Sequence, residues 1–183
     1  MKILLFAGSL RSDSLNKKVV KFTEKMLQKN TDLETVYVDL QPLNFPVYDG
    51  DIEALGIPEN ITGFAKKIGE ADAIIISSPE YNGSMSSPLK NTLDWISRVK
   101  PMPLVNKPIL LLGASPGALG ATRGLGHARQ PIEVLGNFLY PQSMGFMQAD
   151  RAFDENGDLK DPALVEKLNK LVNSFIVYAK KLK

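Results

Sequence analysis

The chain contains no cysteine and a single histidine, His127. The absence of cysteine excludes disulfides, thiolate catalysis, iron–sulfur clusters and zinc sites built on sulfur ligands. One histidine cannot supply a site with several imidazole ligands or an acid/base system of paired imidazoles. We therefore expect any chemistry of this protein to belong to a bound cofactor, and we expect no metal site.

An excess of charge of one sign is also lacking, because 22 Lys and Arg residues are balanced by 20 Asp and Glu residues. The net charge of +2 does not favour nucleic acid or an anionic membrane as a partner. The apolar run at residues 3–7 is too short for a signal peptide or a membrane span. We expect a cytoplasmic protein with a single domain over residues 1–183.

Five short apolar runs are typical of buried parallel strands, since they are continuous rather than alternating. They lie at residues 3–7, 35–38, 73–77, 109–112 and 144–147. Helical patterns separate them, so the sequence predicts an α/β fold with helices on both faces of a parallel sheet. Ligands of such sheets bind beyond the carboxyl ends of the strands, which directs attention to the loops after strands one, three and four.

Four helices have clear sequence signals. The first has an apolar stripe from Leu15 to Met26, and Lys17, Lys21 and Lys25 are expected on its solvated side. A shorter helix is expected over residues 61–69. Ser87 is the predicted N-cap of the next helix, with Pro88 in its first turn, and the last helix begins with the cap Asp161 followed by Pro162.

Two other segments give weaker signals. Residues 120–136 predict a helix with a late start or a kink, because glycines and Pro131 interrupt the pattern. The acidic segment 154–158 hints at a calcium loop, but its glycine comes too early, so we expect a polar turn.

The loop after strand one has the composition of an anion-binding loop. It offers hydroxyl groups, Arg11 and the N–H groups of a helix start, which together suit a phosphate monoester. It is not a P-loop, because the required Gly and Lys would fall on Asp13 and Ser14, and it lacks the dinucleotide pattern of glycines. The alternative is that Ser9, Ser12 and Ser14 serve only as turn and cap residues.

The loops after strands three and four suit a flat ring. An aromatic ring, a carboxylate and an amide precede Gly83, at Tyr81, Glu80 and Asn82, and can stack on and hydrogen-bond a heterocycle. The glycine-rich residues 113–120 offer backbone N–H groups with few bulky side chains. Each loop alone is also consistent with a simple turn or connector. Together with the first loop they predict a mononucleotide site, and a flavin suits a chain without thiols or paired imidazoles.

The motifs of these loops resemble those of the NADPH-dependent FMN reductase family, which includes bacterial quinone, azo-dye and chromate reductases. The resemblance rests on Gly8-Ser9-Leu10-Arg11 with Ser14 and Asn16, on Pro79-Glu80-Tyr81-Asn82-Gly83-Ser84, and on Leu89-Lys90-Asn91 with Asp94-Trp95. It implies a flavodoxin-like, doubly wound sheet of strand order 2-1-3-4-5. It also implies a homodimer or homotetramer that acts on a small-molecule electron acceptor.

The same resemblance implies non-covalent FMN, with NAD(P)H as the co-substrate that gives a hydride to flavin N5 before the acceptor takes the electrons. No side chain is expected to be catalytic, and backbone groups near Asn82 and Gly83 are expected to assist at N5. The implied cofactor-binding residues are Ser9, Arg11, Ser14, Leu15 and Asn16 at the phosphate, Pro79, Glu80, Tyr81, Asn82, Gly83 and Ser84 around the ring system, and Ser115, Pro116 and Gly117 beside its pyrimidine side.

Subunit contacts are also expected from the resemblance. Asp94 and Trp95 are candidates for a subunit interface. Residues 42–48, with Phe45 and Tyr48, are expected either to reach a partner's flavin or to cover their own sheet. Pro131 departs from the family pattern, and His127 is expected at the surface or in an interface.

Two alternative functions remain open from the sequence. The first is a flavodoxin-type electron carrier without NAD(P)H oxidation of its own, although such carriers are usually acidic and lack an arginine in the phosphate loop. The second is a non-redox nucleotide-binding protein, which would not take up FMN.

Overall fold

Five parallel strands form the central sheet of the protein, as seen in a computed structural model that describes residues 1–182. Two further short strands pair as an antiparallel hairpin outside this sheet. The strands are β1 (Lys2–Ala7), β2 (Glu34–Val38), β3 (Ala73–Ser77), β4 (Glu80–Tyr81), β5 (Ser84–Met85), β6 (Pro108–Ala114) and β7 (Phe138–Phe146). The sheet order β2-β1-β3-β6-β7 confirms the flavodoxin-like, doubly wound fold, and the hairpin is an addition that the sequence did not predict.

The helices lie on both faces of this sheet. They are α1 (Leu15–Leu27), α2 (Gly50–Ala54), α3 (Glu59–Glu70), α4 (Ser87–Arg98), α5 (Thr122–Glu133) and α6 (Pro162–Lys181). The predicted cap of α6 is confirmed, because the Asp161 side chain accepts a hydrogen bond from the backbone N–H of Ala163. Along residues 1–182, no helix combines the length and apolar composition needed to cross a bilayer.

Side chains of the central strands β1, β3 and β6 alternate between two buried layers. In β1, Ile3 and Leu5 pack in the layer formed with α1 and α6, whereas Leu4 and Phe6 pack in the layer formed with α3, α4 and α5. All four side chains are almost fully buried. Burial on both faces explains why the strand sequences are continuously apolar.

The N-cap of α4 is Ser86, so the prediction of Ser87 is wrong by one residue. Ser86 has an extended backbone conformation, and its Oγ accepts a hydrogen bond from the N–H of Leu89 at 3.3 Å. The same hydroxyl donates to the carbonyl of Gly8 at 2.5 Å, which ties the start of α4 to the end of β1. This second contact fixes Ser86 as the cap.

Trp95 lies in the core of its own chain, so its predicted place at a subunit interface is wrong. Its side chain is fully buried, and its Nε1 donates to a backbone carbonyl of residues 42–48 at 2.8 Å. The ring of Tyr48 lies 5.1 Å from that of Trp95, and the ring of Phe45 lies 5.9 Å from that of Phe64. Residues 42–48 therefore pack on α3 and α4 of their own chain, which supports the second of the two predicted alternatives.

Lys17 is buried, so its predicted place on a solvated helix face is wrong. Only 5% of the residue is exposed, and its Nζ lies 2.8 Å from Asp39 Oδ1 and 3.1 Å from the side-chain oxygen of Gln41. Lys21 and Lys25 are exposed as predicted. The helical pattern placed the three lysines together, but the segment after β2 covers the position of Lys17.

The last strand of the sheet, β7, begins at Phe138, well before its predicted start at Met144. Its pairing with β6 shifts register between Ile109 and Leu111. At this irregularity Arg129 of α5 donates hydrogen bonds to two consecutive backbone carbonyls of β7. The bulge and the exposed residues around it hide the strand from a search for apolar runs.

The late start of α5 is confirmed. Gly120 and Ala121 have φ angles of 56° and 66°, so the chain enters the helix from the left-handed region and α5 begins at Thr122. The helix continues through Pro131 and ends at Glu133. Pro131 has no N–H to donate to the carbonyl of His127, four residues earlier, so α5 lacks one hydrogen bond there.

Residues 154–158 form the predicted polar turn. The Asp154 side chain accepts hydrogen bonds from the backbone N–H groups of Asn156 and Asp158, at 2.9 and 2.8 Å. A carboxylate that binds its own turn in this way is a common turn-forming device.

The partly buried Lys17–Asp39 ion pair generates a stability prediction. We expect Asp39→Ala to lower the free energy of unfolding by about 1 to 2 kcal/mol, because it removes the anion from a buried ammonium that keeps Gln41 as a partner, while the Asp39 side chain itself is 33% exposed. Urea unfolding monitored by circular dichroism measures this change.

The control is Glu166→Ala, which removes the partner of Lys170 from an ion pair whose two side chains are 65% and 75% exposed. An exposed pair of this kind contributes about 0.5 kcal/mol or less. Equal losses in the two variants would contradict the structural role of the buried pair.

Candidate functional site

A cleft of about 340 Å³ lies at the carboxyl edge of the sheet, where the loops after β1, β3 and β6 meet. Its wall contains most of the residues that the sequence assigned to a cofactor. The lining residues are Ser9, Arg11, Asp13, Ser14, Leu15, Asn16, Pro79, Glu80, Tyr81, Ala114, Ser115, Pro116 and Asp150. The structure thus brings the three predicted loops together in one cleft, of a size typical of small-molecule sites.

One end of the cleft is formed by the first loop and the start of α1. Ser14 is the N-cap of α1, and its Oγ accepts a hydrogen bond from the N–H of Lys17. Ser9 is almost fully buried, whereas Arg11 is exposed. The guanidinium of Arg11 adds N–H donors to the hydroxyl groups of the loop. The first N–H groups of a helix have no intrahelical acceptor, and the helix dipole adds positive potential there. This end of the cleft therefore suits an anion.

Two carboxylates lie near this end. Asp13 Oδ1 is 2.6 Å from the Nζ of Lys18, and the hydrogen bond from Lys18 holds the pKa of Asp13 below its ordinary value. Asp150, which follows β7, also lines the cleft. Lys18 screens the charge of Asp13 and so limits its repulsion of an anion at the helix start.

The side chain of Asn16 lies beneath the cleft and joins the ends of two strands, β3 and β6. Its Nδ2 donates to the carbonyl of Ala114 at 3.0 Å, and its Oδ1 accepts from the N–H of Ala114 at 2.9 Å. The hydroxyl of Ser77 donates to the same Oδ1 at 2.8 Å. Asn16 and Ser77 are both almost fully buried, so these contacts are shielded from water.

The first loop also packs tightly against the start of α4. The N–H of Gly8 donates to the carbonyl of Ser77 at 2.8 Å. A Cβ atom at position 8 would lie 2.8 Å from the Cβ of Leu89, closer than side chains pack. Glycine is required here because no larger residue fits between β1 and α4.

Glu80 caps the start of α5 rather than pointing its carboxylate freely into the cleft. Its Oε2 accepts from the N–H groups of Arg123 and Gly124 at 3.0 and 3.1 Å, and its Oε1 lies 2.5 Å from the Arg123 guanidinium. Burial favours a raised pKa of Glu80, but the hydrogen bonds from Gly124 and Arg123 outweigh it, so the pKa lies below its ordinary value of 4.5. Glu80 is therefore ionised at neutral pH and holds the β4–β5 hairpin on α5.

The turn of this hairpin is made by Asn82 and Gly83, whose φ angles are 51° and 78°. Positive φ at both central residues is characteristic of a two-residue hairpin turn. Behind the hairpin, a Cβ atom at Gly124 would lie 2.9 Å from the carbonyl oxygen of Ser84, so α5 approaches β5 without a side chain between them. The predicted residues Asn82, Gly83 and Ser84 belong to this hairpin and lie outside the cleft wall.

The third loop is held in place by the end of β7. The N–H of Ser115 donates to the carbonyl of Phe146, and the N–H of Ala149 donates to the carbonyl of Ser115. Ser115 and Pro116 line the cleft, whereas Gly117 does not and instead accepts a hydrogen bond from the N–H of Gln148.

A second groove, of about 580 Å³, lies on the other side of the hairpin. Tyr81 lines both cavities and separates them. The remaining groove residues come from the hairpin, the start of α4 and the exposed side of α5, where His127 and Pro131 lie. His127 is exposed, in agreement with the prediction of a surface position.

The sequence did not assign Asp13 or Asp150 to the cleft wall, and it included Ala114 only as part of residues 113–120. Asp13 was inside the identified loop but lacked the chemistry of an anion ligand. Ala114 ends β6 and has no polar side chain, so its sequence identity gives no sign of the contacts that its backbone makes with Asn16. Asp150 was detectable in principle, because the carboxyl end of the fifth strand lies at the same edge of the sheet.

Comparisons with known proteins agree with this geometry. The family described as NADPH-dependent FMN reductase matches residues 1–150. An NAD(P)H-dependent FMN reductase of Pseudomonas aeruginosa is 32% identical over 184 residues, covering 100% of this chain and 97% of the relative. A quinone reductase of Escherichia coli K12 is 28% identical over 186 residues, with the same coverage of 100% and 97%.

Solved structures of flavin-dependent proteins also resemble this chain. A flavoenzyme NAD(P)H:(acceptor) oxidoreductase from Paracoccus denitrificans superposes with a TM-score of 0.84 at 27% identity, covering 98% of this chain and 97% of the other. An oxidised flavodoxin from Bacillus cereus has a TM-score of 0.60 at 11% identity, with 96% of each chain covered, and shares the fold. With the family match over residues 1–150 and the cleft built from the matching motifs, the chain belongs to the NADPH-dependent FMN reductase family.

Proposed function

We propose that this protein is an oxidoreductase that uses bound FMN to transfer electrons from NAD(P)H to a small acceptor. The observation that carries the proposal is the single cleft in which an anion-binding helix start faces two loops with little side-chain bulk. The names of the relatives, an FMN reductase and a quinone reductase among them, support the cofactor and favour a quinone as acceptor.

The donor set at the start of α1 fits the phosphate of FMN. We propose that the hydroxyls of Ser9 and Ser14, the guanidinium of Arg11 and the first-turn N–H groups of Leu15 and Asn16 hold it. The set combines neutral donors, one cation and a helix dipole, which suits a phosphate dianion better than a base or a sugar. The negative charge of Asp13 does not prevent phosphate binding here, because Lys18 forms an ion pair with Asp13.

The other end of the cleft fits a flat ring system. We propose that Pro79, Glu80 and Tyr81 line one side of the isoalloxazine, with Ser115, Pro116 and Gly117 along its pyrimidine edge. Tyr81 is 41% exposed and offers a ring for stacking. Next to this wall, we propose that backbone groups of the hairpin turn near Asn82 and Gly83 assist at N5, with Ser84 beside them.

The bound FMN would supply the redox chemistry, accepting a hydride from NAD(P)H and passing two electrons to the acceptor. The chain's own contribution is to bind and orient both ends of the cofactor. The ionised Glu80 fixes the hairpin at one side of the ring, and the network around Asn16 fixes the two loops that flank it. No side chain is assigned as an acid or base.

We propose a homodimer or homotetramer in the cytoplasm, where NAD(P)H is available as reductant. With Trp95 buried inside the chain, the groove lined by Tyr81, His127 and Pro131 is the better candidate for a subunit contact. Size-exclusion chromatography with light scattering at micromolar concentration measures this state, and a monomer would contradict the proposal.

The central proposal predicts a visible flavin spectrum. We expect the purified protein to retain or take up FMN, and we expect the visible absorbance of the oxidised flavin to disappear on anaerobic addition of NADH or NADPH. A protein that binds FMN but is not reduced by either nucleotide would instead be a flavodoxin-type carrier. A protein that takes up no FMN would favour the non-redox alternative.

Arg11→Ala tests the phosphate end. We expect it to weaken FMN binding by about ten- to a hundredfold, the usual effect of losing a hydrogen bond to a charged group. Fluorescence quenching of FMN measures the dissociation constant. Arg98→Ala, which removes a cation from the far end of α4, is the control and should leave binding unchanged. An unchanged constant in Arg11→Ala would remove Arg11 from the phosphate site.

Glu80→Gln tests the anchoring of the hairpin. At pH 7 we expect it to lower the free energy of unfolding by about 1 to 2 kcal/mol, since the amide cannot replace the ionised cap of α5. Folding lowers the pKa of Glu80 below its ordinary value of 4.5. The ionised carboxylate therefore stabilises the folded protein fully above pH 4.5, and this stabilisation is lost as the pH falls through the pKa of the folded state.

The difference between the wild type and Glu80→Gln should therefore shrink in urea unfolding at about pH 3. Glu166→Gln, on the exposed side of α6, is the control and should show little change at either pH. A difference that stays constant from neutral to acidic pH would show that ionisation of Glu80 is not what anchors the hairpin.

A further inference from the structure

The Asn16 side chain bonds to the end of β6 as a neighbouring strand would. One amide pairs with both the N–H and the C=O of Ala114, the last residue of β6. β3 ends at Ser77, and the residue that would continue its pairing with β6 is near Pro79, which has no N–H to donate. The amide of Asn16 takes over the bonding that the sheet no longer provides.

The orientation of this amide is determined by its partners. The N–H of Ala114 only donates and its C=O only accepts, so Oδ1 must face the former and Nδ2 the latter. The Ser77 hydroxyl then donates its proton to the second lone pair of Oδ1. The carbonyl side of the amide is fully used, and only one N–H of Nδ2 is left unassigned.

We propose that Asn16 is a positioning residue, whose side chain sets the spacing between the phosphate loop and the loops after β3 and β6. The inference rests on the proposed function, because those loops are the ones assigned to the two ends of FMN. In this role the side chain orients the whole cofactor, and the contribution of Asn16 to the phosphate itself comes from its backbone N–H in the first turn of α1.

Burial explains why this role has a large effect. Asn16 is 2% exposed, and Ser77 is fully buried. Removal of the amide leaves the Ala114 peptide and the Ser77 hydroxyl without partners in a site closed to water. The loops then shift to satisfy these groups, and the distance between the phosphate end and the ring end of the cleft changes.

The test compares FMN with riboflavin, which has the same ring system but no phosphate. We expect Asn16→Ala to weaken the binding of both by a similar factor, roughly tenfold, so that the ratio of the two dissociation constants stays within about twofold of the wild-type ratio. Arg11→Ala should behave differently and weaken FMN alone. Fluorescence titration of each flavin against each purified variant gives the constants.

Leu168→Ala is the control for a loss of stability without a change in the loops. Leu168 is fully buried in α6, and its truncation should lower the melting temperature but leave the affinity for both flavins unchanged. Should Asn16→Ala fail to fold, Ser77→Ala removes one of the three contacts and should give a smaller loss for both flavins, again with the same ratio.

Three results would overturn the inference. An Asn16→Ala variant that loses affinity for FMN alone would make the side chain a phosphate ligand. Unchanged affinity for both flavins would show that the amide has no positioning role. An equal loss of affinity for both flavins in Leu168→Ala would show that the effect of Asn16→Ala comes from lower overall stability. Failure of the wild-type protein to bind either flavin would overturn the proposed function instead, so the two failures are distinguishable.

Discussion

Parallel strands that end inside a protein leave backbone N–H and C=O groups that the sheet no longer pairs, and these groups need other partners. In this chain buried polar side chains supply them. The amide of Asn16 pairs with Ala114, and the hydroxyl of Ser86 pairs with Gly8. Each contact joins elements that are distant in the sequence, so the edge of the sheet is rigid where three loops leave it. The cleft depends on these contacts, because much of its wall comes from the loops between the ends of the strands and the next elements.

Charge is arranged locally, although the whole chain is nearly neutral. Lysine side chains are paired with the carboxylates closest to the first loop, as in Lys17 with Asp39 and Lys18 with Asp13. Arg11 stays available at the mouth of the cleft. On the opposite wall, Glu80 is neutralised by the start of α5 and by Arg123. A site for an anionic cofactor thus arises without the large basic surface that would attract nucleic acid.

The sheet and the place of the cleft could be predicted because both follow from local patterns. Continuous apolar runs identify buried parallel strands, and parallel topology then brings their loops to one edge. The burial of Lys17 and of Trp95 could not be predicted, since the segments that cover them come from elsewhere in the chain. The same holds for Asn16 and Ala114, which lie 98 positions apart, and for Glu80 and Arg123, which lie 43 apart. No local sequence pattern indicates such pairs. The predicted β7 began too late, because the bulge and the exposed residues around it interrupt the apolar pattern.

The tie between Asn16 and Ala114 also limits how the chain can vary in length. The segment from Ala7 to Asn16 must deliver the helix start to the cleft and the amide to the end of β6 at the same time. One inserted or deleted residue would move both, so this segment has a fixed length even though several of its side chains are exposed.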